Sequence, residues 1–211
     1  MTTRFTTAQV AWGGSDDPAT PLVVLLHGRG ADEQSILTMA DHLPEGPAYA
    51  AVRAPIAEGG GYAWFANRGI GRPVAESLAD TMAWFRGWLD EVAPDGRPVV
   101  LVGFSGGAAF AGGLVLADPG RFRAAAILYG TLPFDAGLPV TPGRLEGVSL
   151  FVAQGDQDVV IPRQLLDRTW VYVTGDSRAT AHTRRDPGGH EITPETAAEL
   201  SEWVGSLVAD A

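Results

Sequence analysis

The sequence predicts an α/β fold built on a mostly parallel β-sheet, and three observations lead there. Short, continuously apolar runs recur at Leu22 to Leu26, Tyr49 to Ile56, Val99 to Phe104, Ala124 to Tyr129 and Val148 to Ala153. Continuous rather than alternating hydrophobicity marks strands covered on both faces, which is the habit of parallel sheets. Between these runs lie stretches with apolar residues at helical spacing, and strand alternating with helix is the pattern of an α/β layer architecture. The third observation is the junction from Pro98 to Ala109. There an apolar run passes straight into Gly103-Phe104-Ser105-Gly106-Gly107 and a small-residue stretch, as a sharp strand-to-helix turn requires.

Taken in chain order, Phe5 to Trp12 is expected to add an antiparallel edge strand, with Leu22 to Leu26 the first core strand. Ile36, Leu37, Ala40 and Leu43 predict a helix over 33–43. Residues 57–73 are glycine-rich, carry Trp64-Phe65 and form the longest irregular segment; long loops in compact domains are usually functional or disordered. Leu78, Met82, Phe85, Leu89 and Val92 predict a helix over 74–92, on which Trp84 and Trp88 read as packing or surface residues. Gly107 to Ala117 reads as a small-residue helix that packs tightly on a sheet. Gly130 to Gly147 is a loop, too short for a substantial lid domain. Pro162 opens a helix reaching about Val171, since proline suits a first helical turn. Ala179 to Arg185 is a weaker, more polar strand, and Thr193-Pro194-Glu195-Thr196 starts the last helix with a cap, a proline and an acidic first turn. No composition break or internal repeat divides the chain, so residues 1–211 read as one domain.

Composition narrows the function classes. A chain of 211 residues that is 45% hydrophobic is long enough for one well-cored domain. Lys and Arg number 15 against 25 Asp and Glu, a net charge of −10. Nucleic acid or an anionic membrane would need a basic face, so neither is an expected partner. With no cysteine, disulfides, thiolate metal sites and a cysteine nucleophile are excluded. Met1 to Thr7 holds no apolar core of signal-peptide length, and no run approaches the roughly 20 apolar residues of a membrane span. A cytoplasmic protein without membrane insertion is the expectation. Gly28-Arg29-Gly30 invites a dinucleotide reading that fails, because the third glycine would fall at Glu33, a carboxylate beside a pyrophosphate. The histidines show no paired ligand spacing, so neither a metal nor a cofactor is expected.

The chemistry centres on Ser105. Standing a serine above the end of a strand needs a strained turn, with glycines before and after it to let neighbouring backbone pass. The same turn aims the first free helical N–H groups at the serine, where a negative oxygen would develop. The hydroxyl is a weak nucleophile unless a base takes its proton, and the base needs a third group to orient it. Of four histidines, His42 lies in a helix pattern and reads as solvated, and His182 sits mid-strand in a polar run. His27 ends the first core strand, where a ring bracing the loop fits best. His190 lies in Pro187-Gly188-Gly189-His190-Glu191, a glycine-rich loop that can swing an imidazole over the sheet edge, and is the favoured base. The acid is expected after Val148 to Ala153, where Asp156 and Asp158 both stand; one would act as the acid while the other caps the turn. Asp158 is favoured because it directly precedes Val159 to Ile161, an apolar anchor. Asp135, Asp176 and Asp186 are weaker candidates, in loops without that support.

The order Ser105, Asp158, His190 is that of α/β-hydrolases. At this point the chain resembles one group of that superfamily, the phospholipase/carboxylesterase family, which includes acyl-protein thioesterases and small bacterial esterases. The resemblance rests on Leu26-His27-Gly28-Arg29-Gly30-Ala31-Asp32, Trp64-Phe65, the serine motif, Gly155 to Pro162 and Gly189-His190, and so spans nearly the whole chain. It implies Asp158 as the acid and His190 as the base. Gln154 departs from it, where relatives often carry histidine. The resemblance also implies an oxyanion hole of the backbone N–H groups of Arg29 and Gly106. That agrees with one donor following the nucleophile and one coming from the loop after the first core strand. It places Trp64 and Phe65 beside an acyl pocket, the competing reading being plain core. The implied reaction is hydrolysis of a small-molecule ester through an acyl-enzyme, needing no cofactor. An acyl thioesterase or lysophospholipase is the alternative, and a non-catalytic binding protein on the same fold the second alternative.

Overall fold

The structure, a computed structural model, describes residues 5–94 and 96–209. Seven strands form one sheet. In spatial order they are β1 (Val10–Gly14), β3 (Ala48–Val52), β2 (Leu22–Leu26), β6 (Val99–Phe104), β7 (Ala124–Leu128), β8 (Ser149–Gly155) and β9 (Thr180–Asp186). Every neighbouring pair is parallel except β1, which runs antiparallel to β3. The fold is the mostly parallel α/β sheet flanked by helices that the apolar runs predict. Every residue of β2, β3 and β7 is buried, because helices cover both faces. On one face lie α2 (Ala75–Val92) and α3 (Gly106–Ala117); on the other lie α1 (Glu33–Leu37) and α5 (Pro194–Ala209).

Local sequence explains these helices. Leu78, Met82, Phe85 and Leu89 recur at three- and four-residue spacing and form the buried stripe of α2. In α3, ten consecutive residues from Gly107 to Leu116 are buried, so this helix is apolar all round and lies in the core. Asp32 caps α1 by accepting the Ser35 N–H at 2.9 Å.

Several boundaries differ from the sequence reading. The 33–43 helix is α-helical only to Leu37 and tightens into a 3-10 turn over Thr38–His42, the usual form of a frayed helix end. The Tyr49 to Ile56 run leaves the sheet after Val52, and Ile56 instead opens a hairpin of β4 (Ile56–Glu58) and β5 (Gly61–Ala63). Pro55 between them has no N–H to give to a ladder. The segment 57–73 is therefore structured, and its second half closes through a bridge between Asn67 and Pro73. The edge strand begins at Val10 rather than Phe5, and the part of the N-terminal reading that falls on residues 1–4 lies outside the described residues. A fifth helix, α4 (Arg163–Val171), runs on into a wider π turn over Tyr172–Asp176. The loop from Gly130 to Gly147 holds no helix or strand and builds no large lid. Among the described residues no helix is long and apolar enough to cross a membrane.

The topology fixes where a ligand fits. The chain passes outward from β2 to β3, then returns across β2 to β6, so the carboxyl ends of β2 and β6 lie side by side, with Leu26 paired to Gly103. Such a reversal of strand order opens a crevice at the sheet's carboxyl edge. The loops beginning at His27 and at Ser105 both rise there.

Candidate active site

Ser105 stands between β6 and α3 with φ 54° and ψ −111°. A non-glycine residue held there costs about 1–3 kcal/mol and persists only where its surroundings over-determine it. They do so here. The Ser105 N–H donates to the Leu128 carbonyl at 2.9 Å, and the flanking backbone comes too close for side chains. A Cβ on Gly103 would overlap the Gly107 carbonyl, and one on Gly107 would overlap that of Leu26. Glycine at both positions lets α3 start directly against β2.

Ser105, His190 and Asp158 are joined by hydrogen bonds. The Ser105 Oγ lies 2.9 Å from His190 Nε2, and His190 Nδ1 lies 2.8 Å from Asp158 Oδ2. An ionised carboxylate only accepts, so His190 Nδ1 donates to it and Nε2 is left to accept from the serine hydroxyl. The Asp158 side chain is fully buried. Its other oxygen accepts the N–H groups of Val160 and Ile161 at 2.8 and 2.9 Å. The expected apolar anchor needs correction at this point, since Val159 is 95% exposed and only Ile161 is buried. Asp158 is held by these two N–H groups. The loops of acid and base are also stitched together, by Asp156 N–H to the Asp186 carbonyl at 2.7 Å and Gln157 N–H to that of Gly188 at 2.9 Å. Asp156 itself is half exposed and pairs with Arg163 at 3.6 Å.

The loop after β2 brings a second set of donors near the serine. The Arg29 nitrogen lies 3.2 Å from where a Cβ on Gly106 would stand, so the backbones of Arg29 and Gly106 face one another. The Arg29 guanidinium bonds both Glu58 carboxylate oxygens and the Phe65 carbonyl, each at 2.5 Å. Gly30 N–H donates to Tyr62 and Tyr62 N–H to Ala31, so the β4–β5 hairpin clamps this loop from outside. From inside it is braced by His27. The buried His27 ring donates from Nδ1 to the Gly28 carbonyl at 2.7 Å and accepts the Ala54 N–H at Nε2 at 3.0 Å. Burial pushes the His27 pKa below the ordinary imidazole value, which keeps Nε2 free to accept.

Ser105, His190, Gly106 and Arg29 line one cavity of about 440 Å³, with Phe65, Ile70, Val160 and Ile161 among its apolar walls. Trp64, expected beside the acyl pocket, does not reach it. It is 1% exposed, stacks on Phe110 at 4.4 Å and donates from Nε1 to the His27 carbonyl at 2.8 Å. The two residues stand in the bend that follows β5, with Phe65 lining the cavity and Trp64 packed in the core.

The remaining candidates lie elsewhere. His42 is exposed, and His182 stacks on Phe151 at 4.9 Å. Asp135 pairs with Arg168 at 3.3 Å, and Asp176 is exposed. Gln154 is buried and donates to the Leu166 carbonyl, tying β8 to α4. Asp186 is no loop residue: it ends β9 at 1% side-chain exposure. It accepts from Tyr129 Oη at 2.6 Å and Thr196 Oγ1 at 2.8 Å, beneath the loop that carries His190. Tyr129 itself has φ 48°, and burial pushes its phenol pKa up to about 12. The sequence reading missed this network because its members stand just after β7, at the end of β9 and in α5. The only local signal was the Thr193/Thr196 pair at the helix start. Among the described residues no cluster of three or more histidine or carboxylate side chains is placed to hold a metal ion.

Known proteins match both sequence and fold. The putative hydrolase MhqD of Bacillus subtilis (strain 168) is 25% identical over 190 residues, spanning 86% of this chain and 91% of that protein. The crystal structure of the Bacillus cereus carboxylesterase superposes with a TM-score of 0.84 at 23% identity, covering 95% of this chain and 94% of that one. Zea mays acyl-protein thioesterase 2 superposes with a TM-score of 0.75 at 20% identity, covering 95% and 99%. The family model described as phospholipase/carboxylesterase matches residues 12–206, from β1 into the last helix. By that match, which takes in every strand of the sheet and every loop at its carboxyl edge, the chain belongs to the phospholipase/carboxylesterase family.

Proposed function

We propose that this hydrolase is a serine carboxylesterase acting on small to medium acyl esters through an acyl-enzyme. The observation carrying this reading is the hydrogen-bonded chain Ser105–His190–Asp158 opening onto a cavity with two facing backbone donors. As Ser105 Oγ attacks the ester carbonyl, its proton passes to His190 Nε2, and the buried Asp158 carboxylate stabilises the resulting imidazolium. The carbonyl oxygen, now negative, takes hydrogen bonds from the backbone N–H groups of Arg29 and Gly106; losing one such donor costs about 2.7–4 kcal/mol in known cases. His190 then returns the proton to the leaving alcohol. Water repeats the sequence on the acyl-enzyme, releasing the acid and restoring Ser105. No cofactor takes part in these steps. A cavity of about 440 Å³ falls low in the range of ligand sites, roughly 300–1,000 Å³, which favours short and medium acyl groups over long acyl thioesters or lysophospholipids.

The test is a panel of p-nitrophenyl esters and acyl thioesters of increasing chain length, with fluorophosphonate labelling of the wild type and Ser105→Ala. Turnover of the acetate and butyrate esters, lost by a factor of about 10⁶ in Ser105→Ala, is the expected result. Preference for long acyl thioesters would transfer the reading to a thioesterase. A wild type that neither labels nor turns over any substrate would leave a binding protein.

A further inference from the structure

We propose that Glu58 is a positioning residue for the oxyanion hole: from the tip of the β4–β5 hairpin it holds the Arg29 side chain, and so sets where the Arg29 N–H points. This deepens the esterase reading and rests on it. The Arg29 backbone has little of its own to fix it, because it stands between two glycines. A Cβ on Gly28 would stand 3.2 Å from the Phe104 ring, so no side chain fits there. Gly30 has φ 83°, and no atom lies within 4 Å of where its Cβ would stand. Glycines leave the chain free to turn on either side, so the peptide bearing the proposed donor depends on bonds from elsewhere.

Those bonds come from two sides. The Gly28 carbonyl and the Arg29 N–H belong to one planar peptide group, and His27 Nδ1 donates to that carbonyl at 2.7 Å. The second hold is on the Arg29 side chain. Its Nη1 lies 2.5 Å from both Glu58 oxygens, and its Nη2 donates to the Phe65 carbonyl at 2.5 Å. Glu58 is the one carboxylate paired with Arg29 among the described residues. It does not line the cavity, so its influence on the site runs through Arg29. The hairpin is itself seated on the loop it steadies. Glu58 pairs with Gly61 across the Gly59-Gly60 turn, and a Cβ on Gly61 would overlap the Gly30 carbonyl. The guanidinium also stands 5.7 Å from the Phe65 ring centroid, which ties the donor and the cavity wall to one anchor. An ion pair with side chains 31% and 46% exposed adds little to stability, yet a group misplaced by about 1 Å can cost about 100-fold in rate. The bonds from His27 and Tyr62 survive the loss of Glu58, so part of that effect, about tenfold, is expected.

The test measures kcat/KM on p-nitrophenyl butyrate and inhibition by trifluoromethyl butyl ketone and methyl butyl ketone. The proteins are the wild type, Ser105→Ala, Glu58→Gln, Glu58→Ala, Arg29→Met and the double variant Arg29→Met/Glu58→Ala, with thermal melts to check folding. Ser105 adds to the fluorinated ketone to give a tetrahedral oxyanion, whereas the methyl ketone binds unattacked, so only the first reports on the oxyanion hole. Glu58→Ala should lower kcat/KM about tenfold and weaken the fluorinated ketone by the same factor, with the methyl ketone held within about twofold. Glu58→Gln keeps an acceptor for Arg29 and should fall between the wild type and Glu58→Ala. Arg29→Met keeps the backbone N–H without the guanidinium, and adding Glu58→Ala to it should bring no further loss. A loss below about threefold, a loss that leaves the ratio of the two ketones unchanged, or the same loss repeated on Arg29→Met would each overturn the role of Glu58 alone. A wild type without Ser105-dependent turnover would overturn the esterase reading, and this one with it.

Discussion

Replacing Asp158 with asparagine separates the chemistry of the proposed triad from its folding. In the wild type, Oδ1 takes the Val160 and Ile161 N–H groups at 2.8 and 2.9 Å, and Oδ2 takes His190 Nδ1 at 2.8 Å. Asparagine keeps the first oxygen and both of its loop bonds, but turns an NH₂ group toward His190. That donor requires an acceptor at Nδ1, so the ring proton moves to Nε2, which then confronts the Ser105 hydroxyl and cannot take its proton. The same exchange in a serine protease triad lowers kcat about 10⁴-fold, or about 5.4 kcal/mol at 1.36 per factor of ten. Asp158→Ala should do equal harm to kcat and also destabilise the fold, since two loop N–H groups lose their shared acceptor and the part-buried one at Ile161 alone costs about 1–3 kcal/mol. For a chain of this size each kcal/mol lowers Tm by roughly 2–4 °C, so only the alanine variant should melt clearly early. The assay is kcat on p-nitrophenyl butyrate, with the fluorophosphonate labelling rate and a thermal melt. Asp156→Asn serves as control. Its carboxylate pairs with Arg163 rather than His190, so its kcat should stay within about twofold of wild type. Asp158→Asn retaining a tenth of wild-type kcat, or Asp156→Asn losing more, would refute the reasoning.

Two further outcomes follow from the supports of the site. Tyr129→Phe removes the donor at 2.6 Å from the buried Asp186 carboxylate, a hydrogen bond to charge worth about 1.5–3 kcal/mol. Tm should fall by at least about 3 °C, and an unchanged melt would rule out this network as an anchor of the His190 loop. Stability should also decline on acidification below about pH 6.5 because of His27. Its folded pKa lies below the ordinary value of 6.5, so beneath that value the unfolded chain binds more protons and the stability curve slopes upward with pH. The loss starts near pH 6.5 and levels off below the folded pKa, whereas Asp32 and Glu33, with pKa values held down by hydrogen bonds, act only below about pH 4.5. Melts between pH 7 and 5 should show this slope, and His27→Gln should flatten it while lowering Tm throughout. An equal slope in the variant would place the titration elsewhere.

Neighbouring residues show how far the sequence reading reaches. Trp64 and Phe65 carry the same apolar signal, yet one stacks in the core and the other lines the cavity. Which of them turns inward depends on how the hairpin before them docks on the loop of Arg29. Glu33, read only as a glycine that is missing, is a buried partner of Arg53, with bonds of 2.5 and 2.6 Å. Asp156 and Asp158 are two residues apart, and only the folded loop decides which one faces His190.

By itself the sequence determined the strand–helix alternation, the parallel sheet, the strained serine turn and which of four histidines stands beside Ser105. These are legible because their causes are local: apolar runs of strand length, helical spacing, and glycines where backbone must pass close. Tertiary structure alone decided how the site is held and what its cavity presents. The clamp on Arg29 and the Tyr129–Asp186–Thr196 anchor each join segments far apart in the chain. Hydrogen-bond satisfaction and burial depend on which distant groups meet, and no periodicity along the chain records that meeting.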